Sequence, residues 1–233
     1  MKILFFALAL LASGSAQVPI VQREARPPLT VNFAPFAATR GCSATYTKDR
    51  LACEKTSDLG RLGCSTVYRR DELGGLRPRV PIAVCEFVSS NEVGPGTFIT
   101  RSGILRPAYV RFLVAGEKGF TLLSNEAEFR KYFAPVTSAN EALSYVLAIT
   151  GLTTFYGFVP PPNYRYMANR LRETFIEKRD QGFIVHNVLD YEAYGCGPHL
   201  SSLVTFSVSA GGELKEINRV RAFEGPNDHI CRD

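Results

Sequence analysis

The sequence predicts an α+β fold in which an antiparallel β-sheet packs against one main α-helix. Residues 138–151 combine a capping sequence with apolar residues at helical spacing. After residue 174, strand-like runs alternate with short turns, which is typical of antiparallel hairpins. Four cysteines between positions 42 and 85 predict a disulfide-stapled, loop-rich N-terminal region.

The first sixteen residues have the order of a secretory signal peptide. Lys2 precedes an apolar run from Ile3 to Ala12, and Gly14 and Ala16 are small residues at the positions read by signal peptidase. The run is shorter than the ~20 residues needed to span a bilayer. We expect cleavage before Gln17, export to the periplasm or the extracellular space, and no membrane span afterwards. An uncleaved anchor is the alternative, but no stop-transfer pattern follows the run.

The charge pattern does not predict nucleic-acid binding. The whole chain has a net charge of +5, and removal of Lys2 leaves 26 basic side chains against 22 acidic ones. The arginines are scattered, whereas nucleic-acid binders usually gather them into a stripe. We interpret them as a solvated surface.

The mature chain divides by composition into three parts. Residues 17–40 are rich in Pro and Ala and predict an extended or disordered arm. Residues 41–104 form the cysteine-rich loop and strand region, and residues 105–233 form the α+β domain.

Within the α+β domain the order of elements can be predicted. Strands are expected at 109–114 and 120–123, followed by a short helix that Ser124 caps. The main helix begins with the Ser138–Glu141 capping box and ends at Gly151. A strand over 152–159, a hairpin turning at 180–182, and strands at 203–209 and 214–223 complete the sheet.

An even number of cysteines in an exported chain predicts three disulfides. Six cysteines allow fifteen pairings, and sequence alone cannot choose among them. Their clustering favours pairing the last two with each other and the first four among themselves. The expected pairs are Cys196–Cys231, Cys42–Cys53 and Cys64–Cys85.

The segment Tyr194–His199 is the most unusual stretch, because two glycines and a proline surround Cys196. A thiolate at Cys196 with His199 as its base would make a nucleophile. Cys196, His199, His229 and Cys231 would also be a ligand set for zinc. A Cys196–Cys231 disulfide removes both thiolates, and we expect that disulfide, with no metal and no cofactor.

The remaining ionisable residues predict no catalytic centre. His186 lies in an apolar strand and is expected to be half-buried with a partner. Asp190 and Glu192 share one face of a strand and are expected at a solvated strand end. No nucleophile elbow or zinc-protease sequence is present. We therefore expect a non-enzymatic binding module with an unknown protein or cell-envelope ligand. The alternatives are a secreted hydrolase or thiol enzyme using Cys196 and His199, and a small zinc-binding protein.

The C-terminal half carries a set of short motifs: Phe133-Ala-Pro-Val136, Ser138-x-x-Glu141-Ala-Leu-Ser-Tyr145, Gly195-Cys-Gly-Pro-His199 and a terminal cysteine, Cys231. Over roughly residues 105 to 233 this pattern resembles an uncharacterised family of exported bacterial proteins. The resemblance implies export but no activity. A helix followed by antiparallel strands is also similar in layout to cystatin-like and PepSY-like modules, some of which bind partners or inhibit proteases.

Overall fold

The computed structural model describes residues 18–87, 98–100, 108–191, 197 and 199–225. Its helices are α1 (Ala34–Ala37), α2 (Asp58–Arg61), α3 (Glu126–Phe133), α4 (Ala139–Thr150) and a 3₁₀ helix (Asp71–Gly75). Its strands are β1 (Ile20–Gln22), β2 (Cys42–Thr45), β3 (Thr47–Cys53), β4 (Thr66–Tyr68), β5 (Ile82–Phe87), β6 (Phe98–Thr100), β7 (Ala108–Gly116), β8 (Gly119–Leu123), β9 (Thr153–Thr154), β10 (Arg165–Tyr166), β11 (Arg170–Arg172), β12 (Phe175–Arg179), β13 (Gly182–Tyr191), β14 (Leu200–Ser209) and β15 (Leu214–Glu224).

Seven strands form an antiparallel sheet, called here the N-terminal sheet. Its order is β2-β3-β4-β5-β7-β6, and β8 also pairs with β7. The cysteine-rich region, residues 41–104, contributes five of these strands, β2 to β6. β5 and β7 lie on either side of the predicted boundary at 104–105, yet they pair directly from Ile82 with Val114 to Phe87 with Tyr109. This pairing joins the two predicted regions in one sheet, and it does not test where a domain begins or ends, so the domain boundaries remain predictions.

A second antiparallel sheet, the C-terminal sheet, has the order β10-β15-β14-β13-β12, with β9 also paired to β13. The predicted hairpin is confirmed as β12 and β13, joined by a turn in which Gly182 has a φ of +150°. A bulge between Val185 and Val188 separates the part of β13 that pairs with β12 from the part that pairs with β9. The strand predicted over 152–159 is limited to Thr153–Thr154, and the next N–H along the chain, that of Phe155, bonds to the Thr174 hydroxyl at 2.7 Å instead of to a neighbouring strand.

The main helix, α4, begins and ends as predicted. The Ser138 hydroxyl accepts the Glu141 N–H at 3.3 Å, and the Glu141 carboxylate accepts the Ser138 N–H at 2.8 Å. Gly151 ends the helix with a φ of +67°. The short helix before it, α3, is capped by Asn125 rather than by Ser124, because the Asn125 side chain accepts the Glu128 N–H.

Helix α4 lies between the two sheets. Eight successive residues, Glu141–Ala148, are buried, so the helix is enclosed on all sides instead of along one stripe. One core cluster joins it to Val84 and Phe112 of the N-terminal sheet and to Val185 and Val204 of the C-terminal sheet. The structure is thus mostly β, and the prediction of one sheet against one helix is corrected to three layers, sheet, helix and sheet.

The opposite face of the N-terminal sheet carries a smaller core with both described disulfides. Cys42–Cys53 joins the neighbouring strands β2 and β3, and Cys64–Cys85 lies fully buried beside Phe36. These two pairs are the predicted ones. Cys196 and Cys231 lie outside the described residues, so their pairing stays a prediction.

The N-terminal arm is extended up to α1, which is a helical turn that the sequence did not predict, and it is tied to the rest of the fold. β1 runs parallel to β11, and the buried Glu173 carboxylate accepts hydrogen bonds from the Arg23 guanidinium at 2.6 Å and the Glu24 N–H at 2.9 Å. Further along, Val31 and Phe33 are buried in two different core clusters. None of the helices in the described ranges has the length and hydropathy required to cross a membrane.

Candidate ligand-binding groove

A groove of about 480 Å³ opens where the N-terminal arm passes the 3₁₀ helix and the first turn of α4. Four stretches of chain build it: the arm, the 3₁₀ helix with its C-terminal flank, the loop before β5, and one residue of α4. The lining residues are Pro28, Leu29, Thr30, Val31, Asn32, Leu73, Gly74, Gly75, Leu76, Arg77, Arg79, Val80, Pro81 and Asn140.

Two glycines let the walls of the groove come close together. A Cβ at Gly74 would lie 2.2 Å from the carbonyl oxygen of Thr30 in the arm. A Cβ at Gly75 would lie 2.1 Å from the carbonyl oxygen of Asn140 in α4. Both contacts are with backbone, so no side-chain rotation would relieve them. Only glycine fits between the arm on one side and α4 on the other.

A buried hydroxyl fixes the 3₁₀ helix against α4. Ser144 is fully buried in the middle of α4, and its hydroxyl accepts the Gly75 N–H at 3.0 Å. The same hydroxyl donates to the carbonyl oxygen of Glu72. The Gly75 N–H and the Glu72 carbonyl therefore both have a hydrogen-bond partner inside the protein. These two hydrogen bonds hold the 3₁₀ helix in place at the floor of the groove.

A carboxylate fixes the arm on the other side. Asp71 accepts the Val31 N–H at 3.1 Å and the Thr30 hydroxyl at 3.3 Å, and it forms an ion pair with Arg69 at 2.7 Å. Burial acts to raise the pKa of Asp71, but the hydrogen bonds from Arg69 and Val31 outweigh it and hold the pKa below its ordinary value. The charged form of Asp71 thus holds the arm wall in place at neutral pH.

The groove is apolar beneath and positive at its exposed margin. Leu73 and Leu76 are buried in its floor, whereas Arg77 and Arg79 are the charged residues of its lining. The nearest carboxylate, Glu141, lies 3.9 Å from the Arg77 Nε. The three hydrogen bonds from Thr137 and Ser138 go to the other oxygen of Glu141, so the oxygen facing Arg77 compensates part of the Arg77 charge. Among the described residues Arg79 has no ion pair.

Such a surface can hold a ligand that has an apolar body and a negative group. Guanidinium groups bind carboxylate and phosphate through paired N–H donors, and they do not lose their proton at neutral pH. In the sequence, Arg77 and Arg79 belong to the scattered arginines that predict a solvated surface. The signal that could have separated them is local: two glycines followed by arginines interleaved with proline, in Gly74-Gly75-Leu76-Arg77-Pro78-Arg79.

A second concave region, of about 530 Å³, lies between α3 and the turn before β15. Its lining includes Glu126, Glu213 and Arg130, which carry opposite charges. Its floor includes Tyr145, where burial raises the pKa of the phenol to about 12. The mixed charges favour no particular ligand charge, so the groove beside Arg77 is the better-defined candidate.

The residues singled out in the sequence lie elsewhere. His199 is buried just before β14, with its ring centroid 6.4 Å from that of Tyr191. Its proposed partners Cys196, His229 and Cys231 are outside the described residues, so neither the nucleophile nor the zinc hypothesis is tested. In the ranges that the structure describes, no three metal-ligating side chains come together.

The two other candidates have structural partners. His186 is half-buried as expected; its ring stacks on Phe175 at 4.2 Å, and its Nε2 lies 3.2 Å from the Glu177 carboxylate. Asp190 does not lie at a solvated strand end, because its side chain is 1% exposed and forms an ion pair with Arg219. Glu192 lies outside the described residues.

Comparison with known proteins adds no assignment. No family model matches the chain, and neither a curated protein nor a solved structure resembles it significantly. The fold and the groove must therefore carry any functional argument.

Proposed function

We propose that this protein is an exported, disulfide-bonded binding protein that holds its ligand in the groove beside α4. The observation that carries this proposal is the groove itself, which combines about 480 Å³ of space with an apolar floor and two arginines. Ligand sites in proteins are typically concave, largely apolar and provided with a few placed polar groups. Export is supported by the signal-like N-terminus and by two disulfides, which persist in oxidising compartments.

The rigidity of the groove supports a binding role. The Ser144 hydroxyl holds its floor and the Asp71 carboxylate holds its arm wall, so little ordering is left to occur when a ligand enters. The titratable groups of the lining are two guanidiniums, which orient anions but do not serve as general bases at neutral pH. The proposal is therefore binding without chemical conversion.

The test uses the mature chain, residues 17–233, and the fluorescent probe 1-anilinonaphthalene-8-sulfonate, which has an apolar ring body and one anionic group. The wild-type chain contains no tryptophan, and the probe is excited directly at wavelengths longer than indole absorbs, so indole emission does not interfere even in a variant that carries a tryptophan. We expect saturable binding with one probe per chain. Backbone amide shifts in an NMR titration should change most at Gly74, Gly75, Val80 and Asn140.

A variant in which the groove is filled tests whether the probe binds there. Val80 is half-buried in the lining, and Val80→Trp places a large ring in the groove, so probe binding should fall while the urea unfolding midpoint stays close to that of the wild type. Unfolded or loosely packed protein also binds this probe, but without a fixed stoichiometry. Amide changes confined to other surfaces, or equal binding by Val80→Trp, would exclude the groove as the ligand site.

A further inference from the structure

The composition of the groove restricts what it can bind. Its volume of about 480 Å³ lies within the range of roughly 300–1,000 Å³ that is usual for small-molecule sites. Leu29, Val80 and Pro81 are half-buried apolar residues of the lining, and they leave apolar surface that a ligand can cover. An apolar body is therefore favoured, because burying apolar surface drives association. The inference that follows rests on the proposed binding function and concerns the class of ligand.

The charge of the groove lining determines which charge a bound ligand can carry on its polar group. Its fourteen residues include two arginines and no aspartate or glutamate. The Arg77 side chain is 41% exposed; its guanidinium donates to the Leu76 carbonyl at 3.2 Å and lies 3.9 Å from the Glu141 carboxylate. Arg79 is exposed and has no ion pair among the described residues. An anion between these guanidiniums would gain charge-assisted hydrogen bonds at little desolvation cost to the protein. A cation would meet two like charges.

Part of the arm backbone has no N–H group left to receive an extended peptide. A peptide that adds to a strand edge needs free backbone N–H groups on the receiving segment. In the arm wall, Pro28 has no N–H, the Leu29 N–H bonds to the Pro27 carbonyl at 2.9 Å, and the Val31 N–H bonds to Asp71 at 3.1 Å.

We infer that the groove binds a small amphipathic anion, namely an unbranched acyl or alkyl chain that ends in a carboxylate or phosphate. The chain lies against Leu29, Val80 and Pro81, and the anionic head lies at Arg77 and Arg79. A free fatty acid and a lipid phosphate share this chemistry. The two sources are separated by comparing head groups on the same chain length.

The experiment is isothermal titration of the mature chain with four twelve-carbon probes, each below its micelle concentration: dodecanoate, dodecyl phosphate, dodecanol and dodecyltrimethylammonium. We expect one of the two anions to bind at least about tenfold more tightly than dodecanol, the scale of one charge-assisted hydrogen bond. The cation should bind more weakly still. Whichever anion binds more tightly identifies the source of the natural head group.

The double variant Arg77→Gln/Arg79→Gln should lose most of this preference for anions, with at least about a tenfold weaker affinity for the better anion. Both side chains are partly or fully exposed, so the variant should fold, and its urea midpoint checks this. Arg170→Gln is the matched control, because Arg170 is an exposed arginine on β11 outside the groove lining. It should bind all four probes as the wild type does.

The outcomes separate this inference from the function on which it rests. Equal binding of dodecanol and dodecanoate, or an unaffected double variant, would overturn the anion inference, while binding of the naphthalene probe in the groove would leave the binding function standing. If neither that probe nor any of the four chains enters the groove, both proposals fail. Tighter binding of the cation would overturn the anion inference alone.

Discussion

Replacing Ser144 with alanine removes the hydroxyl that joins α4 to the 3₁₀ helix beneath the groove. In the native protein this hydroxyl accepts the Gly75 N–H at 3.0 Å and donates to the Glu72 carbonyl. Ser144 is fully buried, and an alanine side chain can neither accept nor donate a hydrogen bond at this position. The two backbone groups would lose their partner in a region from which water is excluded.

The expected cost follows from these contacts. Leaving a buried backbone group unsatisfied costs roughly 1–3 kcal/mol. Alanine is the better helix former and offsets up to ~0.5 kcal/mol of that loss. We expect the free energy of unfolding to fall by about 2 kcal/mol, which corresponds to about 4–8 °C in Tm for a chain of this length.

The assay is urea unfolding of the mature protein followed by far-ultraviolet circular dichroism. Ser43→Ala is the matched control, because Ser43 is exposed on β2 and the structure shows no side-chain hydrogen bond for it. That variant should stay within ~0.5 kcal/mol of the wild type. If Ser144→Ala is as stable as Ser43→Ala, the hydroxyl does not hold the 3₁₀ helix, and the account of a rigid groove floor is wrong.

Three further results are expected. Burial acts to raise the pKa of Glu173, but hydrogen bonds from the Glu24 N–H, Arg23 and the Gly157 N–H hold the pKa below its ordinary value of 4.5. The contribution of the Glu173 carboxylate to stability is therefore present above pH 4.5 and is lost as the pH falls through the lowered pKa. Glu173→Gln should therefore flatten the acid limb of the stability curve, and an unchanged limb in urea titrations would contradict this. Burial raises the pKa of Tyr145 to about 12, so the stabilisation by the neutral phenol is complete below pH 10 and is lost as the pH rises through about 12. Ultraviolet titration of the wild type against Tyr145→Phe should show no phenolate from Tyr145 near pH 10, and a difference signal there would refute the buried position. Thiol counting on the denatured, unreduced mature protein should find no free thiol, with Cys196 joined to Cys231, whereas two free thiols would revive the nucleophile and zinc hypotheses.

Local signals in the sequence were enough to predict much of the C-terminal half. The Ser138–Glu141 capping box and Gly151 define α4 through contacts within a few residues, and Gly182 defines the β12–β13 turn in the same way. The pairs Cys42–Cys53 and Cys64–Cys85 are also close in sequence, which is why their clustering was informative. Features set by neighbouring residues were therefore predictable.

The second sheet and the groove were not predictable, because both depend on contacts between distant segments. Nothing near α4 in sequence indicates that Val84 and Phe112 cover the side opposite to Val185. The apolar residues of α4 do extend round the helix, and that breadth was the available sign of burial on two sides. Likewise, the requirement for glycine at position 75 arises from Asn140, which lies 65 residues further along the chain.

A crystal structure of the mature protein grown with dodecanoate tests the central claim most directly. The carboxylate should lie within hydrogen-bond distance of Arg77 or Arg79, with the alkyl chain against Leu29, Val80 and Pro81 and the arm wall unmoved. Dodecanoate bound on another surface beside an empty groove would contradict it.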